Sequence, residues 1–491
     1  MEKPTPNQLH FAASTGHHIG QGCNNLIPNL SKNNKIEVVK IGIAILLVCL
    51  AIPVAIHWAE RWRQIIYSIY FFQGNGQPYS QISLGVIWGL VSAFGLGLGV
   101  TAWQILLAVK YRPVDPCTDE TCPTCTVVVP AFNEGKQVCD TLLSIAASDY
   151  PREKMQIIAV DDGSQDDTWN WMQAAAAMLG DRLTLVQLPT NCGKRQALYE
   201  GFTRSTGQIL VTIDSDSLIG KSTLRHLLSP FVCDSKVGAV AGNVRVLNRD
   251  AGIIPRMLDV NFTYSFDFIR AAQSRLNTVV CTPGALSAYR AEVVFTVLDE
   301  WVNQRFMGRP ASIGEDRAMT NLILRSGYHV TYQRDAVVRT MVPTKYNNLC
   351  KMLLRWARSN IRETIVMTSF LFTRFRSTSS WGARSNLVLS WYGLLMGEVF
   401  KLVGFAYLLC CPLIISSNML MATVLAALLP ALVYLFRHRN SDFLWSFPFT
   451  AFWVTALSWI SLYALLTPHR SKWLTRKVSI PNLSNSRVQS F

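Results

Sequence analysis

Charged side chains are scarce in this chain of 491 residues: only 16% of the residues are Asp, Glu, Lys or Arg, whereas 50% are hydrophobic. A soluble domain carries about 25% charged residues, so the deficit must be concentrated in particular segments. The chain is too apolar for an intrinsically disordered protein, and its glycines show no three-residue period, which excludes a collagen-like fold. The 12 cysteines are scattered, so a small disulfide-stabilised scaffold is excluded as well.

Acidic residues are the scarcer kind of charge, with 31 Asp and Glu against 46 Lys and Arg, for a formal net charge of +15. This balance favours anionic partners such as phosphate groups, nucleotides, nucleic acid or an anionic membrane surface. The sequence contains no GxxxxGK[ST] loop, so a P-loop nucleotide triphosphatase is unsupported. Residues 1–36 are polar and mildly basic without a cleavage site, and we expect them to stay in the cytosol rather than act as a signal peptide.

The missing charge is accounted for by long runs without a formal charge. A helix needs about 20 apolar residues to cross a bilayer, and four runs qualify: residues 41–59, 82–109, 402–436 and 443–466. We therefore predict a multi-pass protein of the plasma membrane.

The predicted organisation follows from these runs, with the catalytic domain facing the cytoplasm. Residues 387–415 are ambiguous, since the sequence allows either one interrupted span or an interfacial helix and a short span that turns at residues 416–418. The predicted parts are two transmembrane helices in residues 37–110, a catalytic domain in 111–345, interfacial helices in 346–385, transmembrane helices in 386–467 and a basic tail in 468–491.

The stretch of ordinary composition alternates between strand and helix patterns. Its four predicted strands, rich in β-branched residues and separated by helical segments, are residues 126–132, 156–160, 183–187 and 208–213. Such βαβ alternation predicts a Rossmann-like α/β domain with a mainly parallel sheet. Ligands of such sheets bind beyond the carboxyl ends of the strands.

Carboxylates stand at two of those strand ends. Asp161 and Asp162 follow the second strand, and Asp214 and Asp216 follow the fourth. Each pair alone is most simply a turn, but four like charges at one sheet edge repel unless a cation joins them. Mg²⁺ or Mn²⁺ held by one or two carboxylates and a substrate diphosphate is the usual solution.

Cations for such a diphosphate stand between the third and fourth strands. Gly193 allows close approach of the backbone, and the adjacent Lys194 and Arg195 could meet phosphate, although a solvated helix start explains them equally well. Further on, Asp316 in the segment GEDR could be a general base that deprotonates an acceptor hydroxyl, or merely part of a helix N-terminus. These residues suggest a nucleoside diphosphate as the leaving group.

The segment after residue 345 predicts one helix with two stripes, which is typical of an interfacial helix on an anionic membrane face. Trp356 could also offer a flat face to a sugar ring, and Arg355 could approach a diphosphate. The apolar stripe is Leu349, Met352, Leu353 and Trp356, and the basic stripe is Lys351, Arg355, Arg358 and Arg362.

Taken in order, these segments resemble the processive family 2 glycosyltransferases, in particular the hyaluronan synthases and the similar rhizobial-type chitooligosaccharide synthases. The likeness covers residues 127–363, with the flanking spans similar in layout. The motifs that carry it are VVVPAFNEG, DDGS, GKRQALYEGF, DSDS, AGNVRVLNR, RAAQS, NQRFMGRPASIGEDRAMTN and RWARSNIRE.

The resemblance implies a GT-A fold, UDP-sugar donors, Mg²⁺ or Mn²⁺, inversion to β-linkages and extrusion of the polymer through the enzyme's own membrane channel. It implies that Asp162, with Asp161 adjacent, binds the uridine moiety and that Lys194 and Arg195 contact UDP. Two departures stand out: Met352 replaces the Gln of the family's QxxRW motif, and the segment CTPG at residues 281–284 replaces a usual Gly-Gly-Pro run.

The resemblance also implies the roles at the reaction centre. Asp214 and Asp216 would form the metal-binding DxD, with Asp216 the direct ligand. Asp316 would be the catalytic base. Arg355 and Trp356 would lie near the diphosphate and at the acceptor end of the channel.

Several alternatives stay open at this stage. The product could be a hyaluronan-like copolymer of N-acetylglucosamine and glucuronic acid or a chitin-like polymer of N-acetylglucosamine alone, and a non-processive transferase acting on a lipid-linked acceptor shares the same carboxylates. A nucleic-acid partner is not expected, because the positive charge clusters beside the apolar runs. The pattern Cys117, Cys122 and Cys125 lacks a fourth ligand nearby, so a zinc or iron–sulfur site is not favoured.

Overall fold

The structure is a computed structural model that describes residues 80–410 and 412–470. Its centre is an eight-stranded sheet in the order β3-β2-β1-β4-β7-β6-β10-β5. The strands are β1 Cys125–Ala131, β2 Met155–Asp161, β3 Leu183–Gln187, β4 Ile209–Ile213, β5 Ser217–Ile219, β6 Val237–Val246, β7 Leu286–Arg290 and β10 His329–Thr340, and a separate hairpin is formed by β8 Arg305–Phe306 and β9 Arg309–Pro310.

Helices cover both faces of the sheet and continue after its last strand. The helices before β10 are α1 Ser80–Lys110, α2 Gln137–Ala146, α3 Thr168–Leu179, α4 Lys194–Thr203, α5 Thr223–Cys233, α6 Ile253–Phe262, α7 Ile269–Ser274, α8 Ala291–Val302 and α9 Glu315–Arg325. The later helices are α10 Tyr346–Leu371, α11 Trp381–Cys410, α12 Pro412–His438, α13 Ser446–Phe452 and α14 Trp459–Leu466.

All four predicted strands are confirmed as β1 to β4, with ends that differ by at most one residue. These four pair in parallel, as do β6 and β10, so the predicted mainly parallel sheet is confirmed. Strand β7 differs, because it runs antiparallel to both β4 and β6. The segment before β7 already lies at the carboxyl edge of the sheet, so the strand must run back from that edge.

Successive side chains of β1 point to opposite faces of the sheet and enter two separate hydrophobic cores. Val127 and Val129 pack with residues of α2 on one face, and Val128 packs with residues of α4 on the other. All three valines are fully buried. Burial on both faces explains why this strand is a continuous β-branched run rather than an alternating one.

One helix of the described residues, Met419–His438, is long and apolar enough to cross a membrane, and a bent pair, Ser441–Leu457 with Trp459–Leu466 at 47°, could count as a second. The predicted span 41–59 lies outside the described residues. The predicted span 82–109 falls within α1, whose part with described side chains, Gly95–Lys110, is an apolar helix shorter than a span.

The charge-free run 402–436 falls in α11 and α12, and residue 411 between these helices lies outside the described residues. The turn that one alternative placed at residues 416–418 is not present, since the backbone of α12 passes through them as a helix.

The prediction that the basic stripe of α10 faces an anionic membrane surface is wrong in part. Arg358 and Arg362 are only 3% and 1% exposed, and they bind protein groups instead of facing outward. Arg358 donates to Thr467 at 3.1 Å, and Arg362 donates to Glu363 at 2.9 Å. A buried arginine is tolerated when its N–H groups are hydrogen-bonded, and the Glu363 carboxylate also balances the charge of Arg362. The spacing of the stripe did not reveal these partners, because Glu363 is next to it in sequence and Thr467 is far from it.

Gly207 offers a direct test of the packing at the start of the sheet. A Cβ at this position would lie 2.5 Å from backbone atoms of Cys125 and Thr126, whereas at Gly220 it would meet only ordinary contacts. We expect Gly207→Ala to lower the unfolding free energy by about 1–3 kcal/mol, and Gly220→Ala to change it little. Thermal unfolding of both variants in detergent measures this, and equal melting temperatures would contradict the close approach.

Candidate active site

The carboxyl ends of β1, β2 and β4 meet at one edge of the sheet, as the strand pattern predicted. A cavity of about 940 Å³ opens there and continues toward the C-terminal helices. The predicted site residues that line it are Asp162, Lys194, Asp214, Asp216, Asp316, Arg355 and Trp356. Asp161 and Arg195 are not among the residues that line this cavity.

The two aspartates after β2 have different surroundings. Asp161 is fully buried, and its carboxylate accepts from the Ser164 N–H at 3.0 Å and the Gln187 side chain at 3.1 Å. Asp162 accepts from the backbone N–H groups of Cys192 and Gly193, both at 2.8 Å. Asp161 therefore fixes the turn after β2, and Asp162 holds the loop that leads to Lys194 at the rim of the cavity.

The two cations after Gly193 point in different directions. Lys194 forms ion pairs with Asp214 and, at 3.3 Å, with Glu315. Burial opposes the charged ammonium, but the carboxylates of Asp214 and Glu315 offset it and raise the pKa of Lys194. Lys194 is thus a fixed positive charge among carboxylates, which suits a phosphate-facing group.

Arg195 is turned away from the cavity toward α8. It donates to the backbone carbonyl of Trp301 and to Gln304 at 3.0 Å, and its guanidinium lies 5.2 Å from the centre of the Trp301 ring. Burial lowers the pKa of Arg195 to about 10. Arg195 therefore helps to pack α4 against α8 and does not reach the cavity.

The pair after β4 has the donor set for a divalent cation. Asp214 faces Lys194, while Asp216 accepts from Thr340 at 3.1 Å and Ser217 at 3.2 Å. Burial and the neighbouring charge of Asp214 raise the pKa of Asp216, so a cation bound between the two carboxylates would stabilise their charged forms. No cluster of three or more His, Cys, Asp or Glu side chains placed for a metal occurs in residues 80–410 and 412–470. Two carboxylates completed by a diphosphate and water fit Mg²⁺ or Mn²⁺.

Asp316 lies in the first turn of α9, and Gly314 before it has a φ of +72°. A side chain at residue 314 would collide with Ser359 of α10, so glycine is required for α9 to start this close to α10. Asp316 accepts from the Gly284 N–H at 3.3 Å and the Cys281 thiol at 3.7 Å. Burial and the negative charge of Glu315 raise the pKa of Asp316, which favours a group that takes up a proton.

Glu315 is a functional candidate that the sequence reasoning did not single out. Burial opposes its ionisation, but the positive charge of Lys194 outweighs it and lowers the pKa of Glu315. The pKa values of these two adjacent carboxyl groups are therefore shifted in opposite directions, so Asp316 rather than Glu315 is suited to accept a proton. The motif GEDR contained the signal, since both acids stand in it.

Trp356 and Arg355 lie on α10 beside these carboxylates, and Met352 lines the same cavity. The Trp356 ring is 37% exposed and is supported from behind by Phe262 at 6.0 Å and Phe266 at 6.3 Å between ring centres. An aromatic ring held rigidly by others and still open to a cavity is the usual platform for a sugar face.

Behind α9 lies a second group that the sequence reasoning missed, centred on the fully buried Glu363. Its carboxylate accepts from Arg362 at 2.9 Å, Asn321 at 3.0 Å and Gln304 at 3.2 Å. Arg362 also donates to the carbonyl of Ile313, just before the turn that carries Asp316. These bonds connect α10 to the base of α9 and set where Asp316 lies.

Removal of the Glu363 charge is expected to destabilise the protein. Glu363→Gln leaves the guanidinium of the buried Arg362 without its counter-ion, which costs about 3–5 kcal/mol of unfolding free energy. The matched control is Glu300→Gln, which removes a largely exposed partner of Arg325 and should cost about 0–1 kcal/mol. Chemical unfolding of both variants measures the difference, and similar losses would refute the role given to Glu363.

Comparison with known proteins agrees with this geometry. The family model described as "Glycosyltransferase like family 2" matches residues 123–359. An N-acetylglucosaminyltransferase of Mesorhizobium japonicum is 32% identical over 74% of this chain and 84% of its own length. One of Rhizobium meliloti is 30% identical over 77% of this chain and 88% of its own length.

The fold has a solved counterpart in a mannosyltransferase of Pyrobaculum calidifontis, whose structure holds GDP-Man and Mn²⁺. The two share a TM-score of 0.50 at 22% identity, over 76% of this chain and 96% of the other. The fold is therefore GT-A-like, with a mixed and mostly parallel sheet. The chain belongs to glycosyltransferase family 2.

Proposed function

We propose that this chain is a membrane-embedded, processive and inverting glycosyltransferase that polymerises N-acetylglucosamine from UDP-N-acetylglucosamine into a β-linked chain. The relatives described above are named for transfer of this sugar. The observation that carries the proposal is the cavity, which is continuous from Asp214 past Asp316 and Trp356 to Trp453 and Ser461 near the C-terminal helices. Such length is unnecessary for a single sugar but suits a growing chain.

The donor half of the site would hold a nucleoside diphosphate at the sheet edge. Asp162 keeps the loop before α4 in place, and Lys194 would neutralise the diphosphate from the α4 N-terminus. Asp214 and Asp216 would hold Mg²⁺ or Mn²⁺, which supplies positive charge to the leaving diphosphate. Arg355 lines the same cavity and could contact the diphosphate from α10.

The acceptor half would supply the nucleophile. The acceptor hydroxyl gives its proton to Asp316 while its oxygen bonds to the anomeric carbon, and the bond from that carbon to the diphosphate breaks to release UDP. Attack from the side opposite the leaving group inverts the configuration, as a single displacement requires. Trp356 would hold the terminal sugar of the acceptor against its exposed face.

The multi-span membrane anchor and the extrusion of the polymer are part of this proposal. Trp453 and Ser461, which end the cavity, belong to the bent helical segment that could form a second span. A polymer leaving Trp356 along this route would pass directly among the apolar C-terminal helices. The catalytic domain would then face the cytoplasm, where UDP-sugars are made.

A second candidate is a hyaluronan-like copolymer that includes glucuronic acid. It is favoured by Arg270 and Arg317, two residues with guanidinium groups that line the cavity. A uronic acid carboxylate is a natural partner for such guanidinium groups. A non-processive transferase to a lipid-linked acceptor shares the same carboxylates and is distinguished by its product.

Product analysis distinguishes these functions. In the presence of Mn²⁺, we expect membranes that contain the protein to convert UDP-N-acetylglucosamine into chains of many sugar residues. Size separation and mass spectrometry detect these chains. Mixed donors should leave this product unchanged for the homopolymer and give an alternating product for the copolymer. Transfer of one sugar to lipid, or no transfer from either donor, would refute the proposal.

Asp316→Asn is expected to reduce transfer by at least about a thousandfold, because the amide cannot accept the acceptor proton. Binding of UDP in the presence of Mn²⁺, measured by calorimetry, should stay within a few fold. Asp216→Asn is the matched control. Unlike Asp316→Asn, it should lose the Mn²⁺-dependent binding of UDP. An Asp316→Asn enzyme with near wild-type polymerisation would rule Asp316 out as the base.

A further inference from the structure

A pair of thiols lies far from the cavity, in the segment between α1 and β1. Cys117 and Cys122 are 7% and 4% exposed, and their sulfur atoms are 2.7 Å apart. This separation is only about 0.7 Å longer than a disulfide bond. The two residues enclose the short acidic loop of sequence TDET, and Cys125 opens β1 three residues later.

Both ends of this loop are fixed to the sheet domain. The Cys117 N–H donates to Ser229 of α5 at 2.8 Å, and Arg225 of α5 donates to the Cys117 carbonyl at 3.1 Å. On the other side, Lys154 donates to the Cys122 carbonyl at 3.0 Å. The sulfurs are therefore held together by the surrounding backbone, and a bond between them needs little movement.

The two thiols have different electrostatic surroundings. Nη1 of Arg225 is 3.7 Å from the sulfur of Cys122, while Asp119 and Asp149 hold the same guanidinium from its other side. Burial and the hydrogen bond with Cys122 raise the pKa of Cys117 to about 12, so Cys117 stays a protonated thiol.

We propose that Cys117 and Cys122 form a redox pair that hydrogen peroxide converts into a disulfide. The Cys122 sulfur attacks peroxide, the O–O bond breaks, and a sulfenic acid and water result. The Cys117 sulfur then displaces the sulfenic oxygen, and its proton leaves with that oxygen as water. Two thiols lose two electrons and two protons, and one peroxide becomes two waters.

The oxidised pair would act on stability rather than on catalysis. It lies at the amino-terminal start of β1, whereas the carboxylates of the cavity lie at the carboxyl ends of the strands. A bond between Cys117 and Cys122 closes a small loop and restricts the unfolded chain at the connection from α1 to the sheet. In a reducing compartment such a pair stays a dithiol until an oxidant reaches it.

The test uses the full-length protein in detergent, reduced with dithiothreitol, freed of it, and divided into untreated and peroxide-treated samples. Both samples are denatured, alkylated with iodoacetamide and digested with trypsin. The peptide of residues 111–136 contains Cys117, Cys122 and Cys125. We expect three alkyl groups on this peptide before peroxide and one after it, on Cys125, with fragments that place the bond between Cys117 and Cys122.

Variants give a second readout that does not depend on catalysis. Oxidised wild type should unfold on the order of 5 °C above the reduced form, and this difference should vanish in Cys117→Ser and persist in Cys233→Ser, which changes an exposed cysteine of α5. Each variant is compared only with its own reduced form, so a general loss of stability does not obscure the result. Three alkyl groups after peroxide, a bond that includes Cys125, or an unchanged difference in Cys117→Ser would overturn the proposal.

Discussion

The candidate active site depends on one electrostatic constraint, which is the mutual repulsion of several carboxylates placed close together at the edge of the sheet. Asp214 and Asp216 come from the end of β4, and Glu315 and Asp316 come from the first turn of α9. Lys194 is the cation placed between the two sets, with ion pairs to one member of each. The fold brings these four acids together, and their charges then decide which of them can ionise.

The outcome of this constraint is a division of roles among chemically identical groups. Burial and a neighbouring negative charge leave Asp216 and Asp316 with raised pKa values, whereas Lys194 keeps Glu315 ionised. Asp161, one residue away from the cavity-lining Asp162, has one oxygen bonded within the turn after β2 and the other bonded to Gln187 at the end of β3. The sequence alone does not distinguish these acidic residues, because their different surroundings are created by side chains from distant segments.

Much of this arrangement followed from local patterns. Strands β1 to β4, the parallel order and the placement of Asp162, Lys194 and Asp214 at one edge were predictable, because strand length, β-branched content and the βαβ alternation are local properties. The reversed strand β7 was not anticipated. The direction of Arg195 and the burial of Arg362 depended on Trp301 and Glu363, whose proximity only the tertiary structure creates.

The reversed strand β7 marks the division of the proposed site into a donor part and an acceptor part. Every residue proposed to hold the donor stands before residue 217, apart from Arg355, whereas the wall facing the acceptor is built by the loop that enters β7 and by α9 and α10. At their boundary a side chain at Gly284 would meet the ammonium group of Lys194. In the proposed mechanism, substitutions in the loop 281–283 would therefore change which acceptor fits without disturbing how the nucleotide is held.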